Sequence, residues 1–442
     1  MQHIIDAVEK NRQLILDSER YVWQHPETGF KEFTTNEYMK KIFISLGYDL
    51  VCPDDITGFY TVIDTGREGP EVMILAELDS IICPAHPDAN KNTGAVHSCG
   101  HNAQCAAMAG IAAALKDQSV LDKLCGKIRL CLVPAEELLE IEYRSELKKN
   151  GVVKYFGGKN EFLRRGYFDG VDMAFMVHTA ENYTVTKGCV GCLTKNIIYK
   201  GKAAHAGSTP WDGNNALYAA NCGLNAINAI RETFKEADII RVHPIITSGG
   251  DMVNAIPETV RLESFVRGNS FDAIVNANKK VNQALIGAAL SINTNIEIID
   301  TPGYAPLKND YNMCLLAKEA ADLAIPHQNC TLTDHTSSGS TDMGDLCCIM
   351  PVVHPYAGGA TGNAHGNDFY ISDPVSACVD CAKWQLAMLE LLLKDSAVRA
   401  KQILSDFKPQ FDSKEAYLSF IDSLNCSGDR IVYDGENTTI KL

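Results

Sequence analysis

Over the first two dozen residues, MQHIIDAVEKNRQLILDSERYVWQ, apolar side chains recur every third or fourth position with charges between them. This is the pattern of an amphipathic helix, and a second one is expected near residues 35–46. The pattern then changes to short unbroken apolar runs, FYTVIDT, EVMILAELD, KIRLCLVPAEE and DMAFMVH, with helix-like stretches between them. Runs without polar alternation predict strands covered on both faces. Their alternation with helices predicts an α/β domain built on a mostly parallel sheet.

A different texture begins near Lys187. TKNIIYKGKAAHAG reads as a strand, DGNNALYAANCGLNAINAIRETF as a helix, RVHPIITSGGD and TVRLESFVRG as strands, SFDAIVNANKKVNQALIGAALSI as a helix and TNIEIIDTPGY as a strand. The order βαββαβ predicts an inserted ferredoxin-like domain. From Asn309 the first texture returns, with helix YNMCLLAKEAADLA, a strand near residues 348–354 and helix SACVDCAKWQLAMLELLLK. The expected division is therefore a main domain, residues 1–187 and 309–442, interrupted by a small domain, residues 188–308.

A chain of 442 residues is long enough for two such domains. No apolar run approaches the length of a membrane span, and the start of the chain lacks the apolar block and cleavage site of a signal peptide, so a cytoplasmic protein without membrane contact is expected. The sixteen cysteines are scattered through the chain and predict buried thiols rather than a disulfide framework. A net charge of -15 argues against a nucleic-acid partner, because binding a phosphate backbone needs clustered Lys and Arg.

In open parallel sheets ligands bind beyond the carboxyl ends of the strands. There the apolar runs deliver Asp79, then Glu136 and Glu137, then His178, and HSCGHNAQC adds Cys99 and His101 after a loop. Alone, each has an ordinary structural explanation. Together, at one sheet edge, they are the thiolate, imidazole and carboxylate donors that Zn²⁺ prefers and that Mn²⁺, Co²⁺ or Ni²⁺ tolerate. Consecutive residues point in opposite directions, so one of Glu136 and Glu137 can hold a metal while the other faces a water as general base. Cys189/Cys192 and Cys378/Cys381 lie too far apart for a zinc ribbon, Cys347–Cys348 fits a core position, and SSGSTDMG contains no nucleophile elbow.

The series HPETGFKEF, ILAELDSI, HSCGHNAQ, VPAEE, MVHT, GKAAHAG, MVNAIP and GNAHGNDF resembles, over nearly the whole chain and in the same order, the dinuclear metallo-amidohydrolase and carboxypeptidase family. This is metallopeptidase family twenty, which includes aminoacylase, hippurate hydrolase and the p-aminobenzoyl-glutamate hydrolases. CGHN and GSTDMGDL are most similar to the branch holding the B-type aminobenzoyl-glutamate hydrolase chains. The resemblance implies Cys99, His101, Glu137, His178 and His365 as ligands of two divalent ions, with Cys99 where other branches place a bridging carboxylate. It implies Glu136 as catalytic base, and Asp79 as the residue that orients a ligand imidazole. His205 would donate to the tetrahedral oxyanion in the active site of a partner protomer, and Asn254 and Arg267 would hold a substrate carboxylate, a solvated strand position being the plain alternative for Arg267. Gln104 and Glu77 depart from histidines found in other branches.

The expected protein is a metal-dependent amidohydrolase acting on an N-acyl amino acid, an aminobenzoyl-glutamate-like compound or a dipeptide with a free carboxylate. By analogy with the family it would be a homodimer through the small domain. A catalytically inactive metal-binding or regulatory homologue is the alternative, but it would need neither Glu136 nor His205 nor Asn254.

Overall fold

The computed structural model describes residues 1–435 and 437–441. The chain divides into two compact units, Met1–Gly188 with Lys308–Thr336 and Asp345–Lys414, and Cys189–Leu307 with Ser337–Gly344 and the C-terminal stretch from Glu415.

In the first unit a five-stranded sheet has the order Phe59–Asp64, Lys127–Val133, Glu71–Glu77, Met173–Phe175, Val352–Val353. Only the Phe59–Asp64 edge is antiparallel; the other neighbours run parallel, with Glu77 beside Val133 and Val353 beside Phe175. The central strand Glu71–Glu77 is buried at every position, as its unbroken apolar run predicts. Because these strands are parallel, their carboxyl ends meet at one edge. The helix His101–Ala114 is buried along its whole length, and its small side chains let another helix, Arg12–Gln24, approach closely. A Cβ on Gly110 would lie 2.4 Å from Ile15 Cδ1, so a larger residue there would have to displace the buried Ile15 side chain. The N-terminal helical pattern breaks at Asn11 into two helices, Gln2–Lys10 and Arg12–Gln24.

The second unit is an antiparallel sheet ordered Arg241–Val242, Thr259–Gly268, Gly191–Lys200, Asn295–Tyr304, with Ile245–Ser248 also paired to Thr259–Gly268. Helices Ala216–Ile230 and Phe271–Ser291 pack their apolar faces against it through Ile197, Tyr199, Leu262, Val281 and Leu285. Along the chain the elements run strand Gly191–Lys200, helix Ala216–Ile230, strands Arg241–Val242, Ile245–Ser248 and Thr259–Gly268, helix Phe271–Ser291 and strand Asn295–Tyr304. RVHPIITSGGD forms two short strands rather than one, with Pro244, which has no N–H to donate, in the gap.

Two stretches depart from the expected division. Residues 337–344 and those after Glu415 belong to the second unit instead of returning to the first. For the C-terminal stretch the reason is edge pairing. Cys426 and Asp300 exchange backbone hydrogen bonds, Ile298 N–H donates to Gly428 O, and buried Ile431 joins the second core, so the C-terminal stretch covers an otherwise open strand. All sixteen cysteines are free thiols. Among the described residues no helix is long and apolar enough to cross a membrane.

Candidate metal centre

The turn after strand Lys127–Val133 carries Glu136 and Glu137, and it is strained. Ala135 has φ +55°, a left-handed conformation that a residue with a Cβ adopts only when its surroundings impose it. They do so from three directions. Glu32 Oε1 accepts the Ala135 N–H at 2.8 Å, Asp79 Oδ2 accepts the Glu137 N–H at 2.8 Å, and the buried Arg144 donates to the carbonyls of Ala135, Glu137 and Phe156. Gly29 makes room for this clamp, since a Cβ there would come within 2.4 Å of Arg144 Nη2 and 2.8 Å of Ala135 Cα. Gly29 and Glu32 both come from HPETGFKEF.

Around the turn the strand ends bring five sequence-proposed donors together. Cys99, His101 and His178 offer one group of donor atoms within 4.8 Å of one another, and Cys99, Glu137 and His365 offer a second. Cys99 belongs to both. Cys99 Sγ lies 3.5 Å from His178 Nε2, while His178 Nδ1 faces the Thr179 carbonyl at 2.9 Å, which turns Nε2 toward the thiol. His101 Nδ1 faces the Asp79 carbonyl at 2.9 Å and its carboxylate at 3.3 Å, so Asp79 directs His101 Nε2 into the site. His365 Nε2 lies 2.9 Å from Glu137 Oε1. Its own backbone, at φ +64°, is held by a 2.8 Å bond from its N–H to Ser98 O, next to Cys99. Glu136 Oε2 reaches to 4.0 Å from His101 Nε2.

The electrostatics follow from this crowding. Burial and Glu137 push the Cys99 thiol up, but the imidazoles of His178 and His101 outweigh them and hold it at about 6. Glu137 raises His365 to about 11. Burial pushes Glu137 up, yet His365 and His101 hold it down at about 2. His101 Nε2 also faces a buried carboxylate, Glu77 Oε2, at 3.2 Å. Anionic thiolate and carboxylate thus face imidazole nitrogens across one cluster of donor atoms. This set fits divalent cations, which would displace protons from the imidazoles and thiol.

The remaining sequence-proposed residues lie in the second unit. His205 Nδ1 accepts the N–H groups of Gly207 and Ser208, each at 3.1 Å, leaving Nε2 as the protonated nitrogen of the neutral ring. His205 pairs with Ala255 in an antiparallel bridge, and Ala206 N–H donates to Asn254 O at 2.9 Å, so His205 and Asn254 occupy adjoining exposed segments. Arg267 is half-buried and donates to Ser340 Oγ at 3.0 Å. Glu32, Arg144 and Lys159 were not singled out by the sequence. Only Glu32 lay inside a recognised motif.

A profile of Peptidase family M20/M25/M40 matches residues 74–391. Xaa-Arg dipeptidase of Mus musculus is 29% identical over 266 residues, which cover 59% of this chain and 57% of that protein. N-acetyl-L-cysteine deacetylase of Bacillus subtilis is 29% identical over 324 residues, covering 69% of this chain and 71% of the relative. Indole-3-acetyl-aspartic acid hydrolase of Enterobacter agglomerans is 26% identical over 336 residues, covering 63% of this chain and 72% of the relative. The match thus spans little more than half the length of the first of these. A crystal structure of a dinuclear metal-binding peptidase of the M20 family from Bacillus subtilis has the same fold, with a TM-score of 0.63 at 20% identity over 88% of this chain and 100% of that one.

Proposed function

The chain belongs to Peptidase family M20/M25/M40 and is a hydrolase of that family, and from this premise we propose that it cleaves an amide bond with the help of two divalent cations. The substrate class is an N-acyl amino acid, an aminobenzoyl-glutamate-like compound or a dipeptide, each with a free carboxylate. The observation that carries the reading is the sharing of Cys99 by two three-donor groups, Cys99/His101/His178 and Cys99/Glu137/His365. Relatives named as a dipeptidase, an N-acetyl-L-cysteine deacetylase and an indole-3-acetyl-aspartic acid hydrolase support the substrate class. The dinuclear peptidase of the same fold supports the number of metals.

When bound, the cations supply Lewis acidity that polarises the substrate carbonyl and makes a water easier to deprotonate. Glu136 takes the proton of the attacking water at its carboxylate and passes it to the leaving nitrogen as the C–N bond breaks. Glu137, fixed by Asp79 and Arg144 through its backbone, keeps its side chain on the Cys99/His365 side. Asp79 holds the His101 tautomer. His205 donates from Nε2 to the oxygen that gains charge in the active site of a partner protomer, and Asn254 and Arg267 bind the free carboxylate. The protein works as a cytoplasmic homodimer through the second unit. A reducing compartment suits sixteen free thiols.

The test is a screen of N-acyl amino acids, aminobenzoyl-glutamate and dipeptides with reduced protein loaded with Zn²⁺, Mn²⁺, Co²⁺ or Ni²⁺. Metal-dependent release of a free amine from one carboxylate-bearing amide is expected. Protein that binds two metals per chain yet turns over none of them would overturn the reading.

A further inference from the structure

One carboxylate beside His101 is left without a role in the reaction above. Glu77, at the end of the central strand, is wholly buried, and its Oε2 lies 3.2 Å from His101 Nε2, the nitrogen that Asp79 directs into the site. Glu77, His101 and Glu136 form a third group of donor atoms within 4.8 Å. A carboxylate so placed would ordinarily be taken up as a ligand by a divalent cation on His101. Here both of its oxygens are engaged. Oε2 accepts from Gln104 Nε2 at 2.8 Å, and Oε1 accepts from the ammonium of Lys159, itself wholly buried, at 2.5 Å. The lysine has little room to move away. It lies in the first turn of the helix Gly158–Arg164, and a Cβ on Gly158 would come 1.7 Å from Pro134 O, so the start of that helix presses on the turn bearing Glu136.

We propose that Lys159 is a positioning residue that holds Glu77 in reserve, as a hydrogen-bond acceptor beside the Cys99/His101/His178 position and out of its coordination. This rests on the reading that Cys99, His101 and His178 hold a cation. The position is then filled by one thiolate and two imidazoles, a set that favours Zn²⁺ and Co²⁺ over harder ions. Removing the ammonium frees a carboxylate to bind as an additional ligand, which tightens the site, raises its coordination number and opens it to Mn²⁺. Changes among residues that hold a ligand in place shift metal affinity about 10- to 100-fold.

The experiment titrates reduced, metal-free full-length protein with Co²⁺ alone. The thiolate-to-cobalt band reports ligation by Cys99, and the intensity of the d–d bands reports coordination number. Lys159→Met is expected to bind Co²⁺ about tenfold tighter, with weaker d–d bands from the added ligand. Lys159→Arg and the double variant Glu77→Gln/Lys159→Met should match the wild type in both. An unchanged affinity and spectrum in Lys159→Met would overturn the proposal, as would tightening that persists in the double variant. If Lys159→Met does not fold, Glu77→Gln decides. The proposal expects cobalt still bound there with the thiolate-to-cobalt and d–d bands unchanged, since no ligand is altered, and loss of the metal would show that Glu77 already ligates. Wild-type protein that shows no thiolate-to-cobalt band would remove the metal-site reading itself, and the proposal with it.

Discussion

Glu32 Oε1 accepts the backbone N–H of Ala135 at 2.8 Å, across 103 residues of sequence. Its other oxygen accepts from Thr57 Oγ1 at 2.5 Å, so both oxygens of this buried carboxyl are used to hold a turn rather than to meet a substrate. Ala135, at φ +55°, stores on the order of 1 kcal/mol of strain. The turn keeps that shape because Glu32 and Asp79 hold its N–H groups while Arg144 holds its carbonyls. HPETGFKEF therefore acts on Glu136 and Glu137 through the backbone.

Arg144 is 1% exposed and serves three carbonyls. Arg144→Met removes those donors from buried acceptors, so the protein should lose about 2–4 kcal/mol of stability and bind metal more weakly on the Glu137 side. Urea unfolding of the metal-free protein and a cobalt titration check the two effects separately. Wild-type stability in this variant would mean the turn holds without the clamp.

Burial, reinforced by the charge of Asp79, raises Glu32 from 4.5 to about 8. Between those values the folded state keeps a proton that the unfolded chain has lost. Stability from this group is therefore undiminished below pH 4.5, falls as pH rises from there to about 8, and is flat above it. Glu32→Gln cannot ionise and should remove that part of the slope. Denaturant midpoints of both metal-free proteins across the window provide the measurement, and equal slopes would count against a raised Glu32.

The strand ends were legible because unbroken apolar runs mark buried parallel strands, and the first polar residue after each run must fall at their shared edge. Asp79, Glu136, Glu137 and His178 were readable in this way. His365 was not, since it lies in the loop GGATGNAHGND and only the family resemblance pointed to it. Lys159 and Arg144 escaped for a different reason. Their partners are a carboxylate 82 residues away and backbone carbonyls, neither of which leaves a periodic trace. The grouping of the C-terminal stretch with the second unit leaves no local trace, because edge pairing with residues such as Asp300 and Ile298 depends on long-range contacts.

Glu136 approaches the His101 side of the centre without belonging to either Cys99 group. Glu136→Gln is nearly isosteric and should keep two metals per chain while turnover falls about 10²- to 10⁴-fold, the range for loss of a general base. Metal analysis alongside single-turnover kinetics checks both halves. Substantial remaining activity would place the base elsewhere.

Cys99 is common to both donor groups, whereas His365 belongs to one. Cys99→Ala should therefore weaken both metal positions, and His365→Ala should lose one metal and keep the other, as elemental analysis after gel filtration would read. The imidazoles that hold the Cys99 thiol at about 6, against its burial, also make it a thiolate at neutral pH in the metal-free protein. A thiolate is the form that peroxide oxidises. Metal-free protein kept reduced should regain activity on adding Co²⁺ or Zn²⁺ alone, whereas a sample first exposed to peroxide should regain it only after a thiol reductant precedes the metal. Full recovery of the oxidised sample with metal alone would contradict the assignment of Cys99 as a ligand that the centre requires.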